Sequence, residues 1–252
     1  MQHCKGAVVR ILYQRYLKRP LDFVLALVAL TVLSPLLLLL AMLVRIKLGS
    51  PVIFRQPRPG LCERIFVMYK FRTMTDDKDD CGQLLPDSMR MTKFGKMLRA
   101  TSLDELPELF NILRGDMSLV GPRPQLVRDM VFMTPAQRLR HTLRPGLTGW
   151  AQVNGRNGLS WKDKLSLDLD YVSKISFISD LNIVVMTVVR VFRMDGITSD
   201  GMDTAEDLGD YLLRIGEISK EEYQQNQALS SALLGGDRLG EVKYARTPTS
   251  HV

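Results

Sequence analysis

Residues Phe23 to Val44 form a run of 22 without a single charged side chain. As a straight helix the run measures about 33 Å, enough to cross the hydrocarbon of a bilayer. A cleaved signal peptide does not fit, because the run is too long for the apolar region of one and no small-residue cleavage site follows it. Near its middle stand Ser34 and Pro35. The proline removes a backbone donor and frees the carbonyl one turn earlier, with Thr31 and Ser34 available to satisfy the local backbone, so a break is expected there. Arg15, Lys18 and Arg19 precede the run and Arg45 and Lys47 follow it, which puts positive charge at both ends instead of marking one side. A kinked single span and a re-entrant helix-break-helix both remain open. The charge at both ends favours the second, with both ends cytoplasmic.

The rest of the chain is a body and a tail of opposite charge. Residues 1–194 carry 29 Lys and Arg against 16 Asp and Glu, whereas residues 195–252 carry 5 against 11. A basic body suits anionic lipid, nucleotide-linked substrates or nucleic acid. Nucleic acid is the poorest fit of the three, because aromatic residues are few and fall mostly on apolar faces. Cys4, Cys62 and Cys81 are odd in number and unpaired in spacing, which implies a reducing compartment without a disulfide framework. His3, His141 and His251 are too scattered for a zinc site, leaving oxygen ligands and Mg2+ or Mn2+. The expected division is an N-terminal membrane segment (1–48), a catalytic domain (49–194) and an acidic extension (195–252).

After Gly49 the pattern becomes strand-like at Val52–Gln56 and Ile65–Thr73, a hairpin joined by the turn-rich residues 57–60. Lys70 and Arg72, two apart, fall on one face of the second strand. Residues 75–86 are acidic and turn-prone and are placed to act as a lid. Met91, Phe94 and Leu98 make an apolar stripe against Lys93, Lys96 and Arg99, which suits either a helix on a membrane surface or one facing a core. Thr134 and Pro135 open another short helix. Residues 147–157 read as irregular, with Trp150, Gln152, Asn154 and Arg156 as handles for a nucleotide-sugar. Ser160 caps a helix from Trp161 to about Ser173, and Leu181–Phe192 is apolar but too short to span. Asp180 stands at its cap position. The tail has helical potential from Asp203 to Gln227 and a disordered composition after Gly235.

The chemistry concentrates between Leu98 and Pro124. Leu103, Leu106, Phe110 and Leu113 recur at helical spacing, and Gly115 supplies a left-handed terminus. Pro107 is tolerated only in a first turn, so this helix begins at Asp104, Glu105 or Leu106. Two adjacent carboxylates then sit at a helix N-terminus, where the dipole favours their ionised form. A plain N-cap at Asp104, or a Ser102/Glu105 capping box, accounts for the same residues without chemistry. Arg99, Arg114 and Arg123 around the same helix suit instead a phosphate-bearing substrate bridged by a metal ion.

Five segments in order carry a resemblance: Pro-Val-Ile-Phe-Arg-Gln (51–56), Lys-Phe-Arg-Thr-Met (70–74), Thr-Ser-Leu-Asp-Glu-Leu-Pro (101–107), Ser-Leu-Val-Gly-Pro-Arg-Pro (118–124) and Arg-Pro-Gly-Leu-Thr-Gly-Trp-Ala-Gln-Val-Asn-Gly-Arg-Asn (144–157). Over residues 15–194 the chain resembles the bacterial sugar transferases, the monotopic phosphoglycosyl transferases. The resemblance implies an α+β fold: a re-entrant helix broken at Ser34 and Pro35, a small β-hairpin and short amphipathic helices around one catalytic domain, on the cytoplasmic face of the bacterial inner membrane. It implies Asp104 as a nucleophile that attacks the β-phosphate of a UDP-sugar, expels UMP and passes the phosphosugar to undecaprenyl phosphate by ping-pong kinetics. Glu105 is implied as the residue handling Mg2+ (or Mn2+) and phosphate, with Lys70, Arg72, Arg99 and Arg123 as phosphate contacts and Asp180 as a further acidic position. The short form resembles the bacillosamine phosphotransferase branch, acting on UDP-N,N'-diacetylbacillosamine or a related N-acetylated sugar and feeding downstream glycosyltransferases. Cys62-Glu63-Arg64 and the long tail depart from the pattern. A membrane-tethered protein that holds anionic lipid or nucleotide-sugar without turnover is the rival reading, and the carboxylate pair argues against it.

Overall fold

The computed structural model describes residues 11–155, 158–193 and 206–236, arranged as a helix-rich α+β structure. A π-helical turn, Tyr13–Leu17, leads into α1, Lys18–Leu48. Among the described residues this is the one helix long and apolar enough to cross a membrane. Its turns continue through the expected break. Ser34 Oγ donates to the Thr31 carbonyl at 2.8 Å, the very acceptor that Pro35 leaves without a backbone donor, and Thr31 Oγ1 donates to the Leu27 carbonyl at 2.9 Å. The two hydroxyls occupy carbonyls around the interruption, so the helix does not unwind there.

One stripe of α1 is buried on both sides of the proline: Lys18, Asp22, Ala26 and Leu30 before it, Leu40, Val44 and Leu48 after it. Spacing by four keeps each set on one face. The first half packs with Met68, Leu109, Ile112 and Met117, the second with Phe71 and Leu98. The opposite face exposes Val24, Val28, Val32, Leu38, Leu39 and Met42. Asp22 fastens the helix to the domain, accepting from Ser118 Oγ at 2.7 Å and from the Leu119 amide at 3.0 Å.

The expected hairpin is present as β1, Ile53–Pro59, paired antiparallel with β2, Ile65–Phe71, with Phe54 opposite Lys70. There follow α2, Asp87–Arg90; α3, Lys93–Ala100; a 3-10 turn, Leu103–Glu105; and α4, Glu108–Arg114. The apolar stripe of α3 faces the core: Leu98 is fully buried, and Phe94 packs in the same cluster as Val44 and Phe71. Gly115 ends α4 at φ 93°, the left-handed terminus anticipated for it.

Beyond α4 come β3, Ser118–Val120; α5, Val127–Met130; α6, Pro135–Arg138; a 3-10 turn, Leu139–Thr142; and β4, Gly146–Thr148, parallel to β3. Thr134 caps α6 as expected, in a capping box with Gln137. The segments 118–124 and 144–149 interlock here. A Cβ on Gly121 would lie 2.4 Å from the Arg144 carbonyl oxygen, and one on Gly146 would lie 2.1 Å from the Gly121 nitrogen. Only glycine permits the two backbones to approach so closely.

The stretch 147–157 is more regular than expected, because α7 occupies Trp150–Gly155. The polar handles are spent locally: Asn154 Nδ2 donates to the Trp150 carbonyl at 2.7 Å and Gln152 Nε2 to the Leu147 carbonyl at 3.1 Å. Arg156 and Asn157 lie outside the described residues. Next come α8, Trp161–Lys174, capped by Ser160, and α9, Phe177–Arg193. Ile183 of α9 is buried while Ile178, Leu181, Val185 and Val188 are exposed, an apolar outer face like that of α1. Of the tail, α10, Leu208–Arg214, and α11, Lys220–Gly236, realise the helical potential. They dock through Leu208, Tyr211 and Tyr223 on Phe132, Met133 and Leu165. Residues 195–205 and 237–252 lie outside the description.

Candidate active site

The helix expected to begin at Asp104, Glu105 or Leu106 begins later. Asp104 and Glu105 occupy the 3-10 turn, introduced by Ser102 in a left-handed conformation (φ 55°), and α4 starts at Glu108 behind Pro107. No capping box forms, since the Glu105 side chain is drawn away from Ser102. Its Oε1 accepts from Lys70 Nζ at 2.8 Å and from Arg123 Nη2 at 2.5 Å. The hairpin and the segment after β3 thus deliver one cation each to the same carboxylate oxygen. These cations hold Glu105 far below the usual carboxylate range despite its burial.

Asp104 is treated in the opposite way. It is buried, and no donor lies within hydrogen-bonding distance of its carboxylate among the described residues. Burial and the neighbouring Glu105 charge raise it to about 6, against the pull of Lys70, Arg99 and Arg123. The helix dipole does not set its ionisation as anticipated, because desolvation and a like charge outweigh it. Two adjacent carboxylates are driven apart: one is held ionised by its two cations, the other is raised towards neutrality with no such bond.

Glu108 completes the group and was not singled out from the sequence. Only 2% exposed, its Oε1 lies 3.2 Å from Lys70 Nζ without the geometry of a hydrogen bond. Burial and the charge of Glu105 raise it to about 7. Its position gives the signal that was available: residues 104, 105 and 108 are three and four apart.

Of the other expected contacts, Arg99 and Arg123 belong to this site. Arg99 donates from Nε to Thr73 Oγ1 at 3.1 Å and feels the charges of Asp104 and Glu105. Arg58, also not anticipated, is half-buried with Nε lacking a partner, and burial together with the Arg123 charge lowers it to about 10. Arg72 is not brought to the dyad. It lies past the end of β2, where its guanidinium donates to the carbonyls of Met74 and Ser50, both at 2.7 Å, and pairs with Asp76 at 2.5 Å. Arg114 turns to the other face of β2, where it donates to the Tyr69 hydroxyl at 2.9 Å. That face borders an apolar cleft of about 810 Å3 against α1.

Asp180 is neither a cap nor part of this cluster. Ser176 Oγ accepts from the Ser179 amide at 3.1 Å in the capping role. Asp180 itself accepts from Tyr13 Oη at 2.7 Å, Lys18 Nζ at 2.5 Å and Tyr171 Oη at 2.7 Å, a buried knot that ties α8 and α9 to the start of α1.

The family model for bacterial sugar transferase matches residues 13–194. The chain belongs to the bacterial sugar transferase family. Among its relatives, the uncharacterized sugar transferase EpsL of Bacillus subtilis (strain 168) is 50% identical over 190 residues, 75% of this chain and 94% of that protein. The UDP-glucose:undecaprenyl-phosphate glucose-1-phosphate transferase of Xanthomonas campestris pv. campestris is 43% identical over 199 residues, 74% of this chain and 41% of the relative. The UDP-N-acetylgalactosamine-undecaprenyl-phosphate N-acetylgalactosaminephosphotransferase of Aeromonas hydrophila is 39% identical over 181 residues, 69% and 43% respectively. This sugar transferase therefore spans about two fifths of the length of those last two relatives. Membership of the bacterial sugar transferase family is what the five segments implied.

Proposed function

We propose that this sugar transferase moves a sugar 1-phosphate from a UDP-sugar to undecaprenyl phosphate through a covalent phosphosugar on Asp104. The observation that carries the reading is the contrast within the dyad, a pinned Glu105 beside an unbound Asp104 raised to about 6. At neutral pH Asp104 is mostly ionised yet poorly solvated, which is the condition of an activated carboxylate nucleophile. A carboxylate oxygen of Asp104 attacks the β-phosphorus. The bond from that phosphorus to the oxygen bridging the two phosphates breaks, and UMP leaves with the electron pair. An oxygen of undecaprenyl phosphate then attacks the same phosphorus and displaces the Asp104 carboxylate, giving the lipid diphosphosugar. Lys70, Arg99 and Arg123 stabilise the charge that gathers on the phosphoryl oxygens.

A divalent ion, Mg2+ or Mn2+, fits the donor set. Among the described residues no cluster of three ligating side chains exists, and Mg2+ is commonly held by one or two carboxylates with substrate phosphates supplying the rest. Glu105 is the residue that would hold it, since Lys70 and Arg123 both bond its Oε1 and neither bonds the other oxygen. When bound, the ion would lower the repulsion between the carboxylates and the diphosphate.

The sugar follows from the resemblance alone, with UDP-N,N'-diacetylbacillosamine first and UDP-glucose and UDP-N-acetylgalactosamine, named in the relatives, as comparison substrates. Incubation with each UDP-sugar and Mg2+ but no lipid should release UMP stoichiometrically and leave a phosphosugar mass adduct on Asp104. Asp104→Asn should do neither. UMP release that requires lipid, with no adduct in its absence, would overturn the covalent route.

We also propose that α1 is re-entrant, bent at Pro35 without unwinding, with both ends at the cytoplasmic face of the inner membrane. The support is the buried stripe that continues on both sides of Pro35 against one domain, together with the basic residues at both ends. With Cys4, Cys62 and Cys81 changed to Ser, single cysteines at Gln14 and Ser50 should label from the cytoplasmic side only. Labelling from opposite sides would establish a full span.

A further inference from the structure

The proline-flanked Arg123 is held by a buried ion pair that the sequence did not expose. Arg140, on the 3-10 turn Leu139–Thr142, is 1% exposed, and Asp168, on α8, is 2% exposed. Arg140 donates to Asp168 Oδ2 from Nε at 3.0 Å and from Nη2 at 2.7 Å. The same Nη2 donates to the backbone carbonyl of Arg123 at 2.5 Å, while Arg123 Nη2 reaches Glu105 Oε1. A continuous chain of contacts therefore runs from Asp168 through Arg140 and the Arg123 backbone to the dyad.

Satisfying one carbonyl does not require two buried charges. A buried pair pays a desolvation penalty that well-packed apolar residues avoid, so it is a poor device for stability. It is a good device for placement. A guanidinium fixed in its plane by Asp168 offers the carbonyl a donor with little freedom. Upstream the segment is held at the Pro122 carbonyl, which accepts from the Gly146 amide at 3.0 Å, and Arg140 adds the next anchor at the Arg123 carbonyl, between two prolines that have no N–H to contribute. Lys164, one turn before Asp168 on α8, feels the Arg123 charge as well, so that face of α8 borders the site.

We propose that Arg140 and Asp168 are positioning residues, holding the Arg123 backbone so that its guanidinium meets Glu105 and the substrate diphosphate. This rests on Arg123 as a phosphate contact. Displacing a substrate-positioning group by about 1 Å is enough to cost on the order of 10²-fold in rate.

A double-mutant cycle on the full chain in lipid nanodiscs tests it, with radiolabelled UMP release at varied UDP-sugar as the readout and thermal unfolding alongside. Asp168→Asn should lower kcat/KM by about 10- to 100-fold, and the loss should vanish in an Arg123→Ala background. An equal loss in both backgrounds would mean that the pair only supports the fold and would overturn the proposal. Full activity in Arg123→Ala alone would instead remove Arg123 from the reaction, which is failure of the underlying reading. Should Asp168→Asn not fold, Arg140→Lys keeps the charge while losing the fork, and the same cycle applies with the same two outcomes.

Discussion

Two lysines of this protein, Lys18 and Lys70, each meet carboxylates from a distant segment, and the two clusters are finished in opposite ways. Asp180 has donors on both oxygens, two phenols and an ammonium, and the segments it joins lie at residues 13–18, 171 and 180. The Tyr171 hydroxyl is pushed above its ordinary range by burial and by that carboxylate, so it stays a donor at every accessible pH. Around Lys70 the groups do not balance. Glu105 takes two cations on one oxygen, Glu108 takes half of one, and Asp104 takes none by direct contact. A closed network fixes structure, whereas an incomplete one leaves charge for a ligand to answer. Position in the sequence does not distinguish Asp180 from Asp104, since both stand beside apolar helical patterns.

Replacing the two lysines separates these roles most sharply. Lys70→Met should reduce UMP release by about 10²-fold or more, as expected for loss of a cation facing a developing phosphoryl charge, and should cost less stability than the Lys18 change, because Glu105 keeps Arg123 and Glu108, already raised to about 7, can take up a proton. Lys18→Met leaves Asp180 as a buried carboxylate without its cation and should destabilise by about 3–5 kcal/mol. Its specific activity per folded molecule should stay near that of the unaltered protein. Unfolding temperature and UMP release measured on the same preparations decide the matter. A Lys18 variant that folds normally but fails in catalysis would move the Asp180 knot into the active site.

What could be read from the chain beforehand depended on how local the signal was. The apolar run, the hairpin, the Thr134 and Ser160 caps and the Gly115 terminus are written within a few residues and were legible. So was the dyad, because two carboxylates beside Pro107 constrain each other. Alternation put Lys70 and Arg72 on one face, but two residues of it do not reveal that β2 ends at Phe71, so that Lys70 meets Glu105 while Arg72 meets Ser50, Met74 and Asp76. Glu108 is buried by Lys70, 38 positions earlier, and Arg140 by Asp168, 28 positions later. No spacing rule spans such distances. The Asp180 knot failed for the same reason, because a cap position is a local inference and its three donors come from two other helical segments.

The smallest expected effect lies in stability, and it has the sign opposite to that of activity. Burial and the Glu105 charge push Asp104 up to about 6 in the folded protein, against 3.8 for a free aspartate side chain. The folded state therefore holds this proton more tightly than the unfolded chain does. Its contribution is complete below the unfolded pKa and is lost as pH rises through about 6, which makes the ionised carboxylate a cost at neutral and alkaline pH. Asp104→Asn removes that cost while ending turnover. The variant should be more stable than the unaltered protein by about 1–3 kcal/mol at pH 8, a rise of several degrees in unfolding temperature. At pH 5 roughly half of the gain should remain, because that pH lies between the two titration points. Asp180→Asn should show the reverse sign at both pH values, since it takes an acceptor from three donors. An Asp104→Asn protein no more stable than its parent at pH 8 would mean that Asp104 is solvated or paired in solution. The contrast between the two carboxylates would then rest on Glu105 alone.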